Sequence, residues 1–325
     1  MNKKMIANNV KFDAISNSFL SNRDFYYGLS IILVLLYHTN CFGYKPLPLF
    51  SYGYLGVDVF MFFSGLGCCY SFEKYSLIEF YRRRVKRIYP IYFSFSVIVS
   101  ILGGVSYIGW ICDLFGLWFF NIGGIYVEWY MVGILLLYFL FPIFYYLAFY
   151  IGLIGYIAII VTSLLLLSYV DLDWWQKALL GRIPMFYLGI TWFFVRTKNI
   201  NSENKNKFYI FSYIISFISL IFILIKGIKG FISIDMTTPF ILIVFFFLQS
   251  VFKRVPRLQR FISLLGKYSF QLFAANALTL YLLNYKSMGV MESFVVYALF
   301  TILLTPCFVY YEKVINNFVM RKRVV

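Results

Sequence analysis

Charged residues are scarce in this sequence. Only 13% of the 325 residues are charged, whereas 62% are hydrophobic and 23% are aromatic, and the mean hydropathy is +0.80. This composition excludes a water-soluble globular protein of ordinary make-up. Repeated apolar stretches of about 17 to 22 residues match the ~20 residues that a helix needs to cross a bilayer. They are too long and too uniformly apolar for the strands of a membrane barrel. The sequence therefore predicts an all-α, polytopic membrane helix bundle.

Several kinds of site have no recognisable pattern in the sequence. The five cysteines are odd in number and lie in or beside apolar segments, so no disulfide framework is indicated. There is no Cys/His arrangement typical of a metal site, no Ser/His/Asp set with hydrolase spacing, and no glycine-rich phosphate loop. We therefore expect no metal and no permanently bound cofactor. Residues 1–22 are polar and lack an apolar core, so we expect no cleavable signal peptide.

We predict ten membrane spans. Their approximate limits are 25–44, 54–72, 90–108, 129–149, 151–170, 180–195, 208–225, 237–252, 268–285 and 293–312. The segment from Trp110 to Phe120 is apolar but too short to cross, which favours an interfacial or re-entrant position. No block outside the spans is long enough for a soluble domain. We expect an N-terminal cytoplasmic segment (1–24), one membrane domain (25–312) and a basic cytoplasmic tail (313–325).

Positive charge is concentrated in alternate inter-span segments. The net charge of +16 would suggest a nucleic-acid partner in a soluble protein. Here most Lys and Arg residues lie before span one, between spans two and three, after span six, after span eight and at the C-terminus. With both termini in the cytoplasm, all five segments fall on the cytoplasmic side, which is the positive-inside pattern. We therefore expect contact with membrane lipid and none with nucleic acid.

The only histidine, His38, lies inside the first apolar run. A titratable group in a membrane span is costly and is a functional candidate by default, although a neutral histidine bonded to a neighbouring helix is the plain alternative. Because each helical residue turns ~100°, Tyr27 shares a face with His38, and Asp24 and Arg23 lie within about 40° and 60° of it. These residues form a polar stripe that runs from the cytoplasmic end of the span towards His38. Charges at a helix entrance also commonly snorkel to the interface or pair with each other. A functional role and a purely structural role therefore both remain open for Asp24 and Arg23.

His38 lies far along its helix. At 1.5 Å per residue it stands roughly 20 Å from Asp24, beyond the middle of the membrane. Cys41, one turn further on, is either a nucleophile with the histidine as its base or a small buried apolar residue. The histidine is thus expected to act near the outer side.

A dense basic run separates spans two and three. From Arg82 to Arg87, five of six residues are cationic. Topology determinants or contacts with anionic lipid would account for such a run. The functional alternative is a phosphate clamp, because guanidinium groups hold phosphate oxygens in bidentate pairs. A cytosolic ligand with several phosphates would suit it.

Four segments form an ordered series in the first 142 residues. They are the run from Asp24 to His38, the segment from Gly56 to Gly65, the segment from Arg83 to Pro90, and Trp129-Tyr130-Met131 leading to Tyr138 and Pro142. They resemble, in order, the Asp-x-Leu-Arg-Gly stretch that ends in a histidine, the Gly-Val-x-x-Phe-Phe-x-x-Ser-Gly motif, the Arg-Arg-x-x-Arg-Ile-x-Pro motif and a tryptophan-led span of the integral-membrane acyltransferase family 3. Members of this family commonly acylate cell-surface sugars.

The resemblance implies a reaction between two compartments. An acyl-coenzyme A donor, typically acetyl-CoA, would bind from the cytoplasm at Arg83, Arg84 and Arg87. A hydroxyl of a surface or lipid-linked glycan would be the acceptor. His38 would act as general base or form an acyl-histidine intermediate, with Asp24 and Arg23 as further catalytic candidates. The residue usage suits a bacterium of AT-rich genome, and the location would be the cytoplasmic membrane.

One position departs from the family pattern. Family members carry an arginine eleven positions before the histidine, where this chain has Tyr27. Our hypothesis is that Arg23, one turn closer to the cytoplasm, reaches up with its long side chain and serves instead. Two other functions remain open at this stage, namely a glycan exporter or flippase and a non-catalytic relative that scaffolds a glycan-assembly complex.

Overall fold

The computed structural model describes residues 21–42, 48–123, 128–197, 232–283 and 290–321. This part of the chain consists of helices and short connections and contains no β-strand, which confirms the predicted all-α fold for the described residues. The α-helices are α1 (Arg23–His38), α2 (Leu55–Lys74), α3 (Leu77–Leu102), α4 (Tyr107–Leu114), α5 (Trp129–Tyr169), α6 (Trp174–Leu180), α7 (Ile183–Thr197), α8 (Ile232–Phe252), α9 (Pro256–Lys267), α10 (Ser269–Leu282) and α11 (Val290–Arg321). Short 3₁₀ helices cover Thr39–Phe42, Pro48–Tyr52 and Leu117–Phe120.

Five helical segments are long and apolar enough to cross a membrane. They are Phe50–Lys74, Leu77–Leu102, Trp129–Tyr169, Trp174–Thr197 and Glu292–Ile315. Predicted spans one and nine correspond to α1 and α10, which have 16 and 14 residues. Predicted span seven, 208–225, lies outside the described residues. The membrane character is therefore clear, whereas the count of ten spans stays a prediction.

The basic run is helical, so the helix that contains predicted span three begins earlier than the span was expected to begin. We expected span three to begin at residue 90, but α3 begins at Leu77. The Ser76 hydroxyl accepts a hydrogen bond from the Glu79 backbone N–H, and the Glu79 carboxylate pairs with Arg82 and Arg83. An N-cap and ion pairs three and four residues apart stabilise a helix start. The arginines therefore lie on the first three turns of a helix.

Two other boundaries agree with the sequence. The backbone of α5 is non-helical at Gly152 (φ 44°, ψ −113°), which breaks the helix close to the predicted junction between spans four and five. Glycine tolerates this positive φ because it lacks a Cβ atom. The segment from Trp110 to Phe120 lies on the short α4 and a 3₁₀ helix, both too short to cross.

Helices α1 and α2 run antiparallel at the centre of the bundle. Tyr37 contacts Tyr54 near one end, and Tyr27 contacts Phe63 further along, with ring centroids 5.8 and 5.6 Å apart. A Cβ atom added at Gly56 would lie 2.3 Å from the carbonyl oxygen of Ser30. The glycine that opens the second motif thus allows the two helix backbones to approach closely.

The basic segments gather at one end of this bundle. Helix α7 runs parallel to α2, because Arg182 meets Asp58 near one end and Phe193 contacts Tyr70 near the other. The start of α1, the ends of α2 and α7, and the start of α3 consequently lie together. We call this the cationic end, and its basic residues include Arg23, Lys74, Arg82, Arg83 and Arg196. The gathering agrees with the positive-inside pattern, and the assignment of this end to the cytoplasm stays a prediction.

Candidate functional site

His38 lies at the opposite end of α1 from the cationic end and contacts a second helix. Its Nδ1 atom is 2.8 Å from the Nδ2 atom of Asn276 on α10. The histidine is partly buried, whereas Asn276 is fully buried. The hydrogen bond to a neighbouring helix that the structural alternative for His38 requires is thus present. Such a bond is also what a functional imidazole needs in order to be oriented.

A third helix completes the contacts around the imidazole. The hydroxyl of Tyr297 on α11 is hydrogen-bonded to the side chain of Asn276 and lies 3.2 Å from the carbonyl oxygen of Leu35. Tyr297 is 3% exposed. Further along the same helix pair, the hydroxyls of Thr279 and Thr301 are 3.5 Å apart. Helices α1, α10 and α11 are therefore joined by polar groups at His38.

Asn276 and Tyr297 were not predicted as site residues from the sequence. Asn276 is 238 residues from His38, and no spacing rule connects residues in different spans. The available signal was the amide itself, since it stands in the apolar run Ala274 to Leu278. Polar side chains within a span mark contacts or functional sites.

Arg23 and Asp24 lie away from His38. Arg23 Nη2 is 3.4 Å from Asp24 Oδ1, and both side chains are nearly half exposed. The Arg23 guanidinium also lies over the ring of Tyr27, 5.2 Å from its centroid. Both charged residues are roughly 20 Å along the helix from His38, so the structure does not bring the three predicted catalytic residues into one cluster. The side chain of Cys41 lies outside the described residues.

The three arginines of the predicted clamp lie in different surroundings. Arg83 is at the cationic end, where its Nε is 2.9 Å from Glu79 Oε1 and its guanidinium is 3.9 Å from the ring centroid of Tyr75. Arg84 points into the bundle, and its Nη2 donates a 2.9 Å hydrogen bond to the carbonyl oxygen of Gly67. The two side chains therefore do not share a surface.

Arg87 lines a small cavity between the helices. The cavity measures about 30 Å³. Its lining residues are Tyr27, Phe60, Ser64, Arg87, Ile88, Tyr130, Tyr138, Ser269, Phe270 and Phe273. The Arg87 guanidinium interacts with the hydroxyls of Tyr27, Tyr130 and Tyr138. No carboxylate is among these lining residues of the described chain, so the cavity pairs one cation with hydroxyl groups and suits an anionic or strongly polar group.

A partly buried carboxyl group caps the helix that carries Tyr130. The side chain of Glu128 precedes α5 and accepts a hydrogen bond of 3.4 Å from the Tyr130 backbone N–H. Burial raises the pKa of Glu128 to about 7, although the hydrogen bond from Tyr130 acts in the opposite direction. Its protonation state therefore changes near neutral pH.

Metal ligation finds no support in the described residues. Among them, no group of three or more His, Cys, Asp or Glu side chains could hold a metal ion.

Comparison with known protein families identifies the family of this chain. A family model described as an acyltransferase domain, family 3, matches residues 27–312. No curated protein and no solved structure matches the chain. The matched range includes His38, the arginines of α3, the cavity, Asn276 and Tyr297.

Proposed function

The chain belongs to acyltransferase family 3, and on this premise we propose that it is a membrane O-acyltransferase. It transfers an acyl group, most simply acetyl, from cytoplasmic acyl-coenzyme A to a hydroxyl of a cell-surface or lipid-linked polysaccharide. The bacterial cytoplasmic membrane separates the two substrates. The observation that carries the proposal is the position of His38, held by Asn276 at the far end of α1 from the cationic end.

The cationic end is the entry for the donor in this proposal. Arg83 is half exposed there, so it is suited to the phosphates of coenzyme A. Arg87, one turn further along α3, is exposed and lines the cavity. It would contact a polar part of the donor at the cavity. Arg84 supports the clamp by holding α3 against α2.

The donor must widen the cavity in order to reach His38. A volume of about 30 Å³ holds only one or two water molecules, which is too little for a pantetheine arm. Phe270 and Phe273 line the cavity on α10, and Asn276 follows Phe273 by about one turn. Rotation of these two phenylalanines would extend the cavity along α10 towards His38. We therefore expect donor binding to be accompanied by movement of α10 side chains.

The chemistry requires one proton acceptor. His38 takes the proton from the acceptor hydroxyl as its oxygen attacks the thioester carbon. The new C–O bond forms, the C–S bond breaks, and the coenzyme A thiolate takes the proton from His38. A histidine suits both steps because its unperturbed pKa of ~6.5 is close to neutral pH.

The decisive test compares the ester content of surface polysaccharide with and without the gene. We expect NMR of the purified polymer to show O-acyl groups that disappear on deletion and on His38→Ala substitution, with unchanged protein abundance in the membrane. Unchanged acylation in His38→Ala would contradict the proposed role. If deletion instead leaves acylation intact and traps glycan inside the cell, the chain is an exporter.

A further inference from the structure

We propose that Asn276 and Tyr297 hold neutral His38 in the tautomer that carries its proton on Nδ1, which leaves the lone pair of Nε2 for the acceptor hydroxyl. This inference rests on the proposed function, since it assigns a state to the same imidazole. In it, Asn276 and Tyr297 are positioning residues. They touch the histidine or its partner and take no part in bond making.

The carbonyl group of Leu35 is the first member of the hydrogen-bond network. It lies in the last turn of α1, where helical carbonyls lack their intrahelical donors. The Thr39 N–H, which would be the donor four residues on, bonds to the carbonyl oxygens of Leu36 and Tyr37 instead. The Tyr297 hydroxyl is 3.2 Å from the Leu35 oxygen. Because a carbonyl oxygen can only accept, this contact uses the single hydroxyl proton of Tyr297.

The proton of Tyr297 then determines the orientation of the Asn276 amide. If Oδ1 of the amide faces Tyr297, two acceptors, Oδ1 and the Leu35 oxygen, compete for one proton, and one buried acceptor lacks a full hydrogen bond. If the amide is turned by 180°, its N–H donates to the Tyr297 oxygen, which still has lone pairs. The two orientations have nearly the same shape, so the hydrogen-bond network decides between them.

The amide orientation in turn determines the tautomer of His38. With its N–H directed at Tyr297, Asn276 presents its carbonyl oxygen to Nδ1 of His38, at the observed separation of 2.8 Å. Nδ1 must then donate, so it carries the proton, and Nε2 keeps its lone pair. In this arrangement the Nδ1–H of His38 donates to the Asn276 carbonyl oxygen, and the Asn276 N–H donates to the Tyr297 oxygen. The Tyr297 O–H donates to the Leu35 carbonyl oxygen. The opposite orientation would protonate Nε2 and remove the base.

The sequence offers a direct test because His38 is the only histidine. Full-length protein labelled with ¹⁵N-histidine and reconstituted in lipid nanodiscs gives a single pair of imidazole nitrogen signals. The protonated and lone-pair nitrogens differ in chemical shift, and couplings to the ring carbons identify Nδ1 and Nε2. At a pH where the ring is neutral, we expect the proton on Nδ1. A proton found on Nε2 would overturn the inference.

Two variants and one control separate positioning from folding. Tyr297→Phe removes both the donor to Leu35 and the acceptor for the amide, so we expect a mixture of tautomers and a fall in kcat on the order of 10²-fold, with KM for acetyl-CoA unchanged. Asn276→Asp keeps an acceptor at Nδ1 and adds a negative charge, so we expect the Nδ1–H form to persist and the acidic limb of the kcat profile to move to higher pH.

Thr301→Val is the control, because it lies in the same helix interface, is equally buried and is in contact with Thr279 rather than His38. It should keep the wild-type tautomer and pH profile.

The outcomes distinguish this inference from the proposed function. The NMR signal requires no activity, so the tautomer is tested on its own. An inactive His38→Gln variant together with a wild-type Nε2–H signal would leave the acyltransferase proposal standing and refute the role of Asn276 and Tyr297. An active His38→Gln variant would refute the proposed function whatever the tautomer.

Discussion

Asp58 and Arg182 form an ion pair inside the bundle. Arg182 Nε lies 3.5 Å from Asp58 Oδ1, and the two side chains are 0% and 4% exposed. The guanidinium also donates a 2.6 Å hydrogen bond to the carbonyl oxygen of Ala178 and lies 5.0 Å from the ring centroid of Trp129. A charge buried to this degree is tolerated because its partner is present. The pair therefore joins the start of α2 to the start of α7.

Removal of one partner of this pair should destabilise the protein strongly. We expect Arg182→Met to lower the free energy of unfolding by about 3–5 kcal/mol, because Asp58 would remain as an uncompensated buried charge. The double variant Asp58→Leu/Arg182→Met should recover much of the loss. Denaturant unfolding of the detergent-solubilised protein measures both. Arg82→Met is the matched control, since its solvent-screened surface pair with Glu79 should contribute little to stability.

The crossing of α1 and α9 should not tolerate larger side chains. A Cβ atom at Gly266 would lie 1.7 Å from the carbonyl oxygen of Asp24, and one at Gly28 would lie 1.9 Å from that of Ile262. Because both obstacles are backbone atoms, the helices must move apart. We expect Gly266→Ala and Gly28→Ala to cost about 1–3 kcal/mol or more, measured as a lower midpoint of thermal unfolding.

Gly67 provides the comparison for this prediction. It lies within α2, and a Cβ atom there would meet nothing within 4 Å. Gly67→Ala should therefore be neutral or stabilising by roughly 0.5–1 kcal/mol, the usual gain of alanine in a helix. Equal effects at Gly67 and Gly266 would show that the helix crossing is less tight than described.

The sequence predicted the parts of the fold that depend on apolar length and charge distribution. Hydropathy predicts a junction near residue 150 and a segment from Trp110 to Phe120 that is too short to cross, and the non-helical Gly152 and the short α4 agree with both. The interfacial or re-entrant position of that segment stays a prediction. The sequence-based prediction placed the start of α3 too late, because a hydropathy profile excludes charged helical turns from a span. The spacing of Ser76 and Glu79 was the available signal, since it is that of an N-terminal capping box.

The candidate site was predictable only where it lies on one helix. Helical periodicity placed Tyr27 and His38 on one face, and both are on α1. The contact with Asn276 depends on how α10 and α11 pack against α1, and no local pattern encodes that packing. The separation of Arg83 from Arg84 depends likewise on a tertiary contact, the hydrogen bond from Arg84 to Gly67.

Arg83, the residue of the proposed clamp at the cationic end, should affect donor binding. We expect Arg83→Gln to raise KM for acetyl-CoA roughly 10- to 100-fold, the loss of one charge-assisted hydrogen bond, with kcat changed little. Steady-state kinetics with membranes or nanodiscs would measure this. Arg82→Gln is the control, because Arg82 shares the partner Glu79 but points about 100° away around α3. Equal effects of the two variants would indicate general electrostatic attraction in place of a clamp.

Arg23 should contribute to acylation through its contact with Tyr27. The guanidinium lies over the Tyr27 ring, whose hydroxyl interacts with Arg87 in the cavity. We therefore expect Arg23→Ala to lower the O-acyl content of surface polysaccharide several-fold. Stability should change by no more than about 0.5 kcal/mol, because the side chain is exposed.

Lys267 offers a matched control for Arg23. Its ammonium lies 5.7 Å from the ring centroid of Tyr268, close to the same end of the bundle. Lys267→Ala removes an equivalent contact between a cation and an aromatic ring, but Tyr268, unlike Tyr27, does not line the cavity, so acylation should be unaffected. Acylation that is unaffected by Arg23→Ala as well would refute the idea that Arg23 compensates for the tyrosine at position 27.

Glu128 should make the stability of the protein depend on pH. Burial raises the pKa of this carboxyl from an ordinary value of 4.5 to about 7, so between these values the folded state binds more protons than the unfolded state. Stability from this group is therefore fully present below about pH 4.5 and is lost as the pH rises towards 7. Glu128→Gln keeps an acceptor for the Tyr130 N–H and removes the ionisation. We expect the variant to unfold at a higher temperature than wild type at pH 8 and at the same temperature near pH 4, as measured by thermal unfolding at both values. Parallel curves for the two proteins across this range would mean that Glu128 is ionised in the folded state as freely as in water.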